Sequence, residues 1–221
     1  MSKDNDNVQC VIFDCDGVLI DSEPLCCQAL VNVFLPYDST VTYEDCAKHF
    51  QGGKIADILT ETRDRLGLTV RLDDLEPMYR EQTQVLFQAK LKPIQGVHEV
   101  LEQLKSKGIQ YCVVSNSPRN KIEFSLKLTH LMTEFEGKIF SAFDANSWKP
   151  EPDLLRYAAM NMGFSSDECL YVDDSVKGVE AGVRAGITTA HLRSSSFGDK
   201  YKESHVIEIS NIKQLSTILD I

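Results

Sequence analysis

The hydrophobic positions of this chain form short, continuous apolar runs, separated by longer segments in which apolar residues recur at three- and four-residue steps. Continuous runs are typical of strands buried on both faces, and the longer period is typical of amphipathic helices. The runs predict strands at residues 8–14, 109–114, 138–141, 169–172, 187–191 and 206–209. Strands that alternate with helices indicate a doubly wound α/β fold with a parallel sheet and right-handed crossovers.

One long segment interrupts this alternation and contains no clear strand. Its apolar positions predict helices that begin near Pro24 and extend over residues 42–50, 55–66 and 73–90. We therefore predict an α/β core made of residues 1–17 and 95–221, with a helical cap domain inserted at residues 18–94.

The overall charge argues against several classes of partner. The chain has 221 residues, a formal net charge of −10 and 43% hydrophobic residues, which suits a globular core with a small second domain. No basic stripe is available to neutralise a nucleic acid backbone, and the acidic balance disfavours an anionic membrane surface. We expect no nucleic acid and no membrane partner, and a monomer or weak homo-oligomer.

The N-terminus and the cysteines bear on the cellular compartment. Residues 1–7 are polar, so they do not resemble a signal peptide, and no apolar run approaches the roughly 18 residues of a membrane span. The seven cysteines are odd in number and show no zinc-like spacing. We predict a cytoplasmic protein with reduced thiols.

Two carboxylates one residue apart follow the first predicted strand. Asp14 and Asp16 come directly after an apolar run and precede Gly17. Alternate residues of an extended chain point the same way, about 6–7 Å apart, and two carboxylates so placed repel each other. A magnesium ion with oxygen ligands would offset that repulsion. Taken alone, the motif also fits an ordinary turn.

Three further polar clusters follow predicted strands. They are Ser115–Asn116, the loop that carries Lys149, and Asp173–Asp174. Because the carboxyl ends of parallel strands meet at one edge of a sheet, we expect these clusters to converge with Asp14. Carboxylates, a hydroxyl and a lysine suit phosphoryl transfer, which depends on positioning and charge neutralisation. Each cluster alone also fits a turn, a solvated lysine or a helix cap, but their order along the chain favours one site.

These clusters resemble the four motifs of the haloacid dehalogenase (HAD) superfamily of phosphohydrolases. The matching segments are residues 13–17, 115–116, 149–152 and 172–175, and the resemblance covers essentially the whole chain. The superfamily has a Rossmann-like core, and the helical insertion resembles the cap of its β-phosphoglucomutase and phosphoglycolate phosphatase group. The helical insertion and residues 112–121 resemble those of bacterial sugar-phosphate phosphatases, especially those acting on 6-phosphogluconate. The resemblance implies magnesium-dependent hydrolysis of a small phosphorylated sugar or sugar acid through an aspartyl-phosphate.

The resemblance assigns roles to the acidic residues. Asp14 would be the nucleophile and a magnesium ligand. Asp16 would act as general acid for the leaving alcohol and then as base for water, with its backbone carbonyl facing the metal. Asp174 would be the main metal ligand of the fourth motif, with Asp173 beside it, directly or through water. Cys15 lies between the first two aspartates, but a strand would turn its side chain away from them.

The resemblance also assigns the substrate-binding side chains. Ser115, Asn116 and Lys149 would bind the transferring phosphoryl group of a small phosphate ester. Substrate selectivity would come from the cap, since the four motifs contact only the phosphoryl group.

A flexible break at residues 52–54 resembles the specificity loop of the family. Lys54 would meet a second anionic group there, such as a carboxylate, and a solvated helix-capping lysine is the alternative. Arg119 and Lys121, which follow the second motif, are further candidates for contact with the substrate.

Other interpretations share part of this evidence. A sugar-phosphate mutase has the same four motifs, but the mutases of this family carry a cap-side histidine where this chain has Cys26. A haloacid dehalogenase lacks the second aspartate and needs no metal. A receiver-like, phospho-accepting signalling module uses a similar set of residues but has no long helical insertion.

Overall fold

The computed structural model describes residues 7–50, 52–193 and 206–221. The chain forms two compact units, Met1–Ile20 with Pro93–Ile221, and Asp21–Lys92. We call the first the α/β unit and the second the helical unit. Residues 1–6 of the polar N-terminus lie outside the described part of the chain. None of the described helices combines the length and apolarity that a membrane crossing requires.

A parallel sheet forms the centre of the α/β unit. Its described strands are β1 Cys10–Asp14, β2 Gln110–Ser115, β3 Ile139–Ser141, β4 Cys169–Asp173, β5 Thr188–Leu192 and β6 Ile207–Ile209. They lie in the order β3-β2-β1-β4-β5-β6, and every neighbouring pair is parallel. This order is typical of a doubly wound α/β sheet and confirms the predicted fold class.

The helical unit contains the helices of the predicted insertion. They are α1 Glu23–Phe34, α2 Tyr43–His49, α3 Ile55–Arg65 and α4 Leu72–Lys90. Helix α1 buries Leu30 and Val33 and contacts both α2 and α4. The Oγ1 atom of Thr42 accepts a hydrogen bond from the N–H of Asp45 at 3.2 Å, and this N-cap sets the start of α2.

The remaining described helices belong to the α/β unit. They are α5 Val97–Ser106, α6 Arg119–Leu128, α7 Met132–Phe135, α8 Ala142–Ala145, α9 Asp153–Met162, α10 Val176–Ala185 and α11 Gln214–Ile218. Helix α8 has no counterpart among the predicted elements. It begins where the Oγ of Ser141 accepts the N–H of Phe143 at 3.2 Å.

Strand β1 is buried along its whole length and holds the first motif in place. Cys10 and Ile12 belong to a core cluster that includes Leu155 of α9 and Ala181 of α10. Alternate residues of a strand face opposite sides of the sheet, so Val11 faces the other layer, where it is also buried. Because both faces are packed, the end of β1 has little freedom to move.

Candidate active site

Three neighbouring strands of the sheet each end in a polar residue. Asp14 is the last residue of β1, Ser115 of β2 and Asp173 of β4. Strand β1 lies between β2 and β4, at the point where the chain winds outward in both directions. Ligands of doubly wound sheets bind beyond the carboxyl ends of the strands at this switch point. The topology therefore places these side chains where a ligand is expected.

Lys149 joins the first and fourth motifs through its buried ammonium group. Its Nζ lies 2.7 Å from Asp14 Oδ1, 2.7 Å from Asp173 Oδ2 and 3.2 Å from the hydroxyl of Tyr171. The side chain is 5% exposed. Burial alone would lower the pKa of Lys149, but the two carboxylates outweigh it and hold the pKa above its ordinary value. Lys149 is therefore a fixed positive charge beside Asp14.

Asp173 is held by several donors in addition to Lys149. Its Oδ1 accepts the N–H and the Oγ–H of Ser175 at 2.8 and 2.7 Å, and its Oδ2 accepts the hydroxyl of Tyr171. Burial alone would raise the pKa of Asp173, but Lys149 and the hydrogen bonds lower it below its usual range. Since both oxygens of Asp173 already accept two hydrogen bonds each, this carboxylate is fixed where it contacts Lys149.

Asp14 has a different electrostatic environment although it shares the same lysine. Burial raises the pKa of Asp14 to about 7, and the charges of Asp173 and Asp16 add to the increase while Lys149 opposes it. Burial and the two flanking carboxylates also raise the pKa of Cys15 well above its usual range, so this thiol does not provide a thiolate nucleophile.

The carboxylates of Asp14, Asp173 and Asp174 form a cluster that fits a hard cation. One oxygen from each lies within 4.8 Å of the others. A set made only of carboxylate oxygens suits magnesium. Gly17 has φ +80°, and a Cβ there would overlap the carboxylate of Asp174, so the glycine of the first motif leaves room for that side chain.

The side chain of Asp16 is not part of this carboxylate cluster. Its Oδ2 is 3.5 Å from the Nζ of Lys121 and 3.5 Å from the Oγ of Ser117. Lys121 also donates to Ser117 Oγ at 3.1 Å. The carboxylates of Asp14 and Asp16 therefore have separate cationic partners, which permits different roles for them.

The second motif contributes a buried hydroxyl and an amide. Ser115 is buried, and its Oγ accepts the N–H of Ser117 at 3.0 Å. The side chain of Asn116 hydrogen-bonds the main chain of Lys149 at 2.9 and 3.2 Å. Arg119 donates to Asp144 and to the carbonyl of Ile139, which ties the start of α6 to the segment around β3.

Lys54 belongs to the helical unit. It is the exposed N-cap residue of α3 and follows Gly53, which has φ +104°. The proposed contact of Lys54 with a second anionic group stays a prediction.

Sequence reasoning did not single out Tyr171 or Ser117. Tyr171 precedes Asp173 by two residues and so lies on the same side of β4. A tyrosine inside an otherwise apolar, buried strand needs a hydrogen-bond partner for its hydroxyl. This requirement is the feature of the sequence that could have identified Tyr171. Ser117 carries no comparable signal, because its contact with Asp16 joins residues that are distant in sequence.

Comparison with known proteins agrees with this geometry. The sequence profile of the haloacid dehalogenase-like hydrolases matches residues 11–192 of the chain. The chain belongs to the haloacid dehalogenase-like hydrolase family. The matched range contains both aspartates of the first motif, Lys149 and the fourth motif.

Individual relatives of this hydrolase are phosphatases by name. It is 32% identical to the 6-phosphogluconate phosphatase of Escherichia coli, over 94% of this chain and 93% of that protein. It is 27% identical to a phosphorylated carbohydrates phosphatase of Thermotoga maritima, over 96% and 98% of the two chains. A haloacid dehalogenase-like protein from Agrobacterium tumefaciens superposes with a TM-score of 0.81 at 25% identity, over 96% and 98% of the chains.

Proposed function

We propose that this hydrolase is a magnesium-dependent phosphatase that hydrolyses a small phosphorylated sugar or sugar acid through an aspartyl-phosphate. The observation that carries the proposal is the buried contact of Asp14 with Lys149 beside the carboxylate of Asp173. It combines a nucleophile with a fixed cation at the switch point of the sheet. Membership of the hydrolase family and the names of the relatives support the same chemistry.

In the first step, a carboxylate oxygen of Asp14 forms a bond to phosphorus while the bond from phosphorus to the sugar oxygen breaks. Asp16 donates its proton to that leaving oxygen. Lys149, Ser115 and the adjoining backbone offset the negative charge on the phosphoryl oxygens. The products of this step are the free alcohol and phosphorylated Asp14.

In the second step, Asp16 takes a proton from water as the water oxygen attacks phosphorus. The bond between phosphorus and Asp14 then breaks, which releases inorganic phosphate and restores the carboxylate of Asp14. Asp16 ends the cycle protonated, ready for the next substrate.

The carboxylate cluster would hold the magnesium ion. We propose Asp14 and Asp174 as its direct carboxylate ligands, with Asp173 beside them and the backbone carbonyl of Asp16 completing the protein's contribution. Asp173 is the less available ligand, since its oxygens already accept four hydrogen bonds. A bound magnesium ion would offset the repulsion between the carboxylates and the substrate phosphate.

Phosphatase activity is favoured over mutase activity by the residue at the position of the mutase histidine. That residue is Cys26, which is buried in α1 of the helical unit close to Tyr79. Histidine is the side chain whose ordinary pKa lies near neutral pH, and cysteine does not share that property. The proposed role of residues 18–94 as a cap, with Lys54 in its specificity loop, belongs to the same proposal.

A phosphate-release screen tests the function. The panel contains 6-phosphogluconate, hexose 6-phosphates, 2-phosphoglycolate and a hexose 1-phosphate, each with magnesium and with a chelator. We expect magnesium-dependent phosphate release, greatest with a sugar phosphate or sugar-acid phosphate. Isomerised hexose phosphate without phosphate release would instead show a mutase. A stable phosphoprotein without turnover would favour the signalling module.

A further inference from the structure

Asn116 follows Ser115, and sequence reasoning places it among the phosphoryl-binding side chains. In the structure, the carboxamide of Asn116 hydrogen-bonds the main chain of Lys149. Oδ1 accepts the N–H of Lys149 at 2.9 Å, and Nδ2 donates to the carbonyl of Lys149 at 3.2 Å. The N–H and the carbonyl of Lys149 are thus both paired with the carboxamide of Asn116.

This pairing copies the exchange between two residues of an antiparallel ladder. A carboxamide offers a donor and an acceptor in one plane, as a peptide does, whereas Ser, Thr and Asp cannot offer both in that arrangement. The next residue, Pro150, has no N–H, so its main chain cannot donate a hydrogen bond that would hold the loop in place. Asn116 therefore satisfies the two main-chain polar groups of Lys149.

The consequence reaches the nucleophile through the lysine side chain. With its main chain held by Asn116, Lys149 places its Nζ 2.7 Å from the carboxylates of Asp14 and Asp173 and 3.2 Å from the hydroxyl of Tyr171. The position of the Lys149 ammonium group beside Asp14 therefore depends on Asn116, which follows the end of β2. Misplacement of a catalytic group by about 1 Å can lower a rate on the order of a hundredfold.

We propose that Asn116 is a positioning residue, which acts on the phosphoryl-transfer site by fixing the backbone of Lys149 and not by binding phosphate through its side chain. Its relevance to catalysis rests on the proposed function, but its effect on Lys149 does not. The two can therefore be tested separately.

The first test measures the chemical protection of the Lys149 amine and needs no enzymatic activity. The protein is treated briefly with an acylating reagent well below its unfolding temperature, and modification of Lys149 relative to Lys138 is followed by peptide mass spectrometry. In Asn116→Ala we expect acylation of Lys149 to rise about tenfold, as expected for the loss of one or two hydrogen bonds. Equal protection of Lys149 in both proteins would overturn the proposal.

A matched control removes a similar amide elsewhere in the α/β unit. Asn161 donates to the carbonyl of Tyr157 at 2.7 Å on the exposed side of α9. Asn161→Ala should leave the acylation of Lys149 unchanged. A rise as large as that in Asn116→Ala would show general loosening and would contradict the specific role of Asn116.

The second test separates positioning from direct contact with phosphate. The affinity for inorganic phosphate with magnesium is measured by calorimetry in the native protein, Asn116→Ala, Lys149→Met and the double variant. We expect Asn116→Ala to weaken binding several-fold when Lys149 is present and less than about twofold in the Lys149→Met background. The same factor in both backgrounds would mean that Asn116 contacts phosphate directly.

The two failures are distinguishable. If Lys149 becomes reactive in Asn116→Ala but the native protein releases no phosphate from any ester, the positioning role stands and the proposed function is wrong. If the native protein is an active phosphatase and Lys149 stays protected, the function stands and the positioning role is wrong.

Discussion

The active-site ion pair of the α/β unit and a surface ion pair of the helical unit lie in opposite environments. In the α/β unit the ion pair of Lys149 and Asp14 has side chains only 5% and 9% exposed. In the helical unit the pair of Arg71 and Asp73 has side chains 72% and 82% exposed. Removing one partner of a buried pair costs about 3–5 kcal/mol, whereas an exposed pair contributes about 0–1 kcal/mol.

This difference separates an ion pair whose disruption would destabilise the fold from an ion pair that tolerates substitution. The charged side chains of the candidate active site follow strands that are buried on both faces, and the carboxylate of Asp173 accepts four hydrogen bonds there. The charges of the helical unit lie mostly on its surface, where substitution has a small effect on folding. Under the proposed function, the α/β unit would keep one reaction while the helical unit varied with the substrate.

The largest expected effect is the loss of the nucleophile. Asp14→Asn should lower kcat by at least about three orders of magnitude, because an amide does not displace the leaving alcohol. The circular dichroism spectrum should be unchanged, and Asp57→Asn on the exposed surface of α3 serves as the matched control. Retention of half the native activity by Asp14→Asn would exclude it as the nucleophile.

The comparison of ion pairs is tested directly by removing one cation from each unit. Lys149→Met leaves the buried carboxylates of Asp14 and Asp173 without their shared cation, so Tm should fall by on the order of 10 °C. Arg80→Met removes an exposed partner of Glu76 in α4 and should shift Tm by about 2 °C or less. Similar shifts in thermal denaturation would contradict the distinction between the units.

The pH dependence of stability tests the raised pKa of Asp14. Its pKa of about 7 in the folded protein lies above the value of about 4 in the unfolded chain. Between these values the folded protein binds a proton that the unfolded chain has released, so stability from this group falls as the pH rises from 4 to 7.

We therefore expect Tm of the chelator-treated native protein to fall more between pH 5 and pH 8 than that of Asp14→Asn, by roughly 5 °C. Magnesium should remove most of the difference, since it favours the ionised carboxyl. Parallel pH profiles of the two metal-free proteins would show that Asp14 titrates normally.

The smallest expected effect concerns selectivity in the helical unit. Lys54→Ala should raise KM several-fold for 6-phosphogluconate, because the lysine would no longer meet the carboxylate. The effect on a hexose 6-phosphate should be less than about twofold. Lys90→Ala, at the end of α4, is the control. Equal changes in KM for both substrates would remove the specificity role of Lys54.

Much of the α/β fold could be predicted from the sequence because its signals are local. Continuous apolar runs such as residues 10–13 mark strands buried on both faces, and the polar residue that follows each run marks the ligand-binding edge. The sheet rule then brings Asp14, Ser115 and Asp173 together without further information.

Other features depend on contacts between residues that are distant in sequence. The proposed role of Asn116 rests on its pairing with Lys149, and Lys121 of α6 lies beside Asp16 in the segment after β1. Arg119 follows the second motif in sequence, yet it binds Asp144. No periodicity or turn propensity encodes such pairings, because they follow from tertiary packing.

The most direct test of the central claim uses Asp16→Asn with p-nitrophenyl phosphate. This leaving group needs no general acid, so Asp14 should still be phosphorylated, while the lost base should slow hydrolysis of the aspartyl-phosphate. We predict a burst of about one p-nitrophenolate per protein molecule, with the phosphoryl group on the peptide that contains Asp14. Steady turnover at the native rate without a burst, or phosphorylation of another residue, would contradict the account.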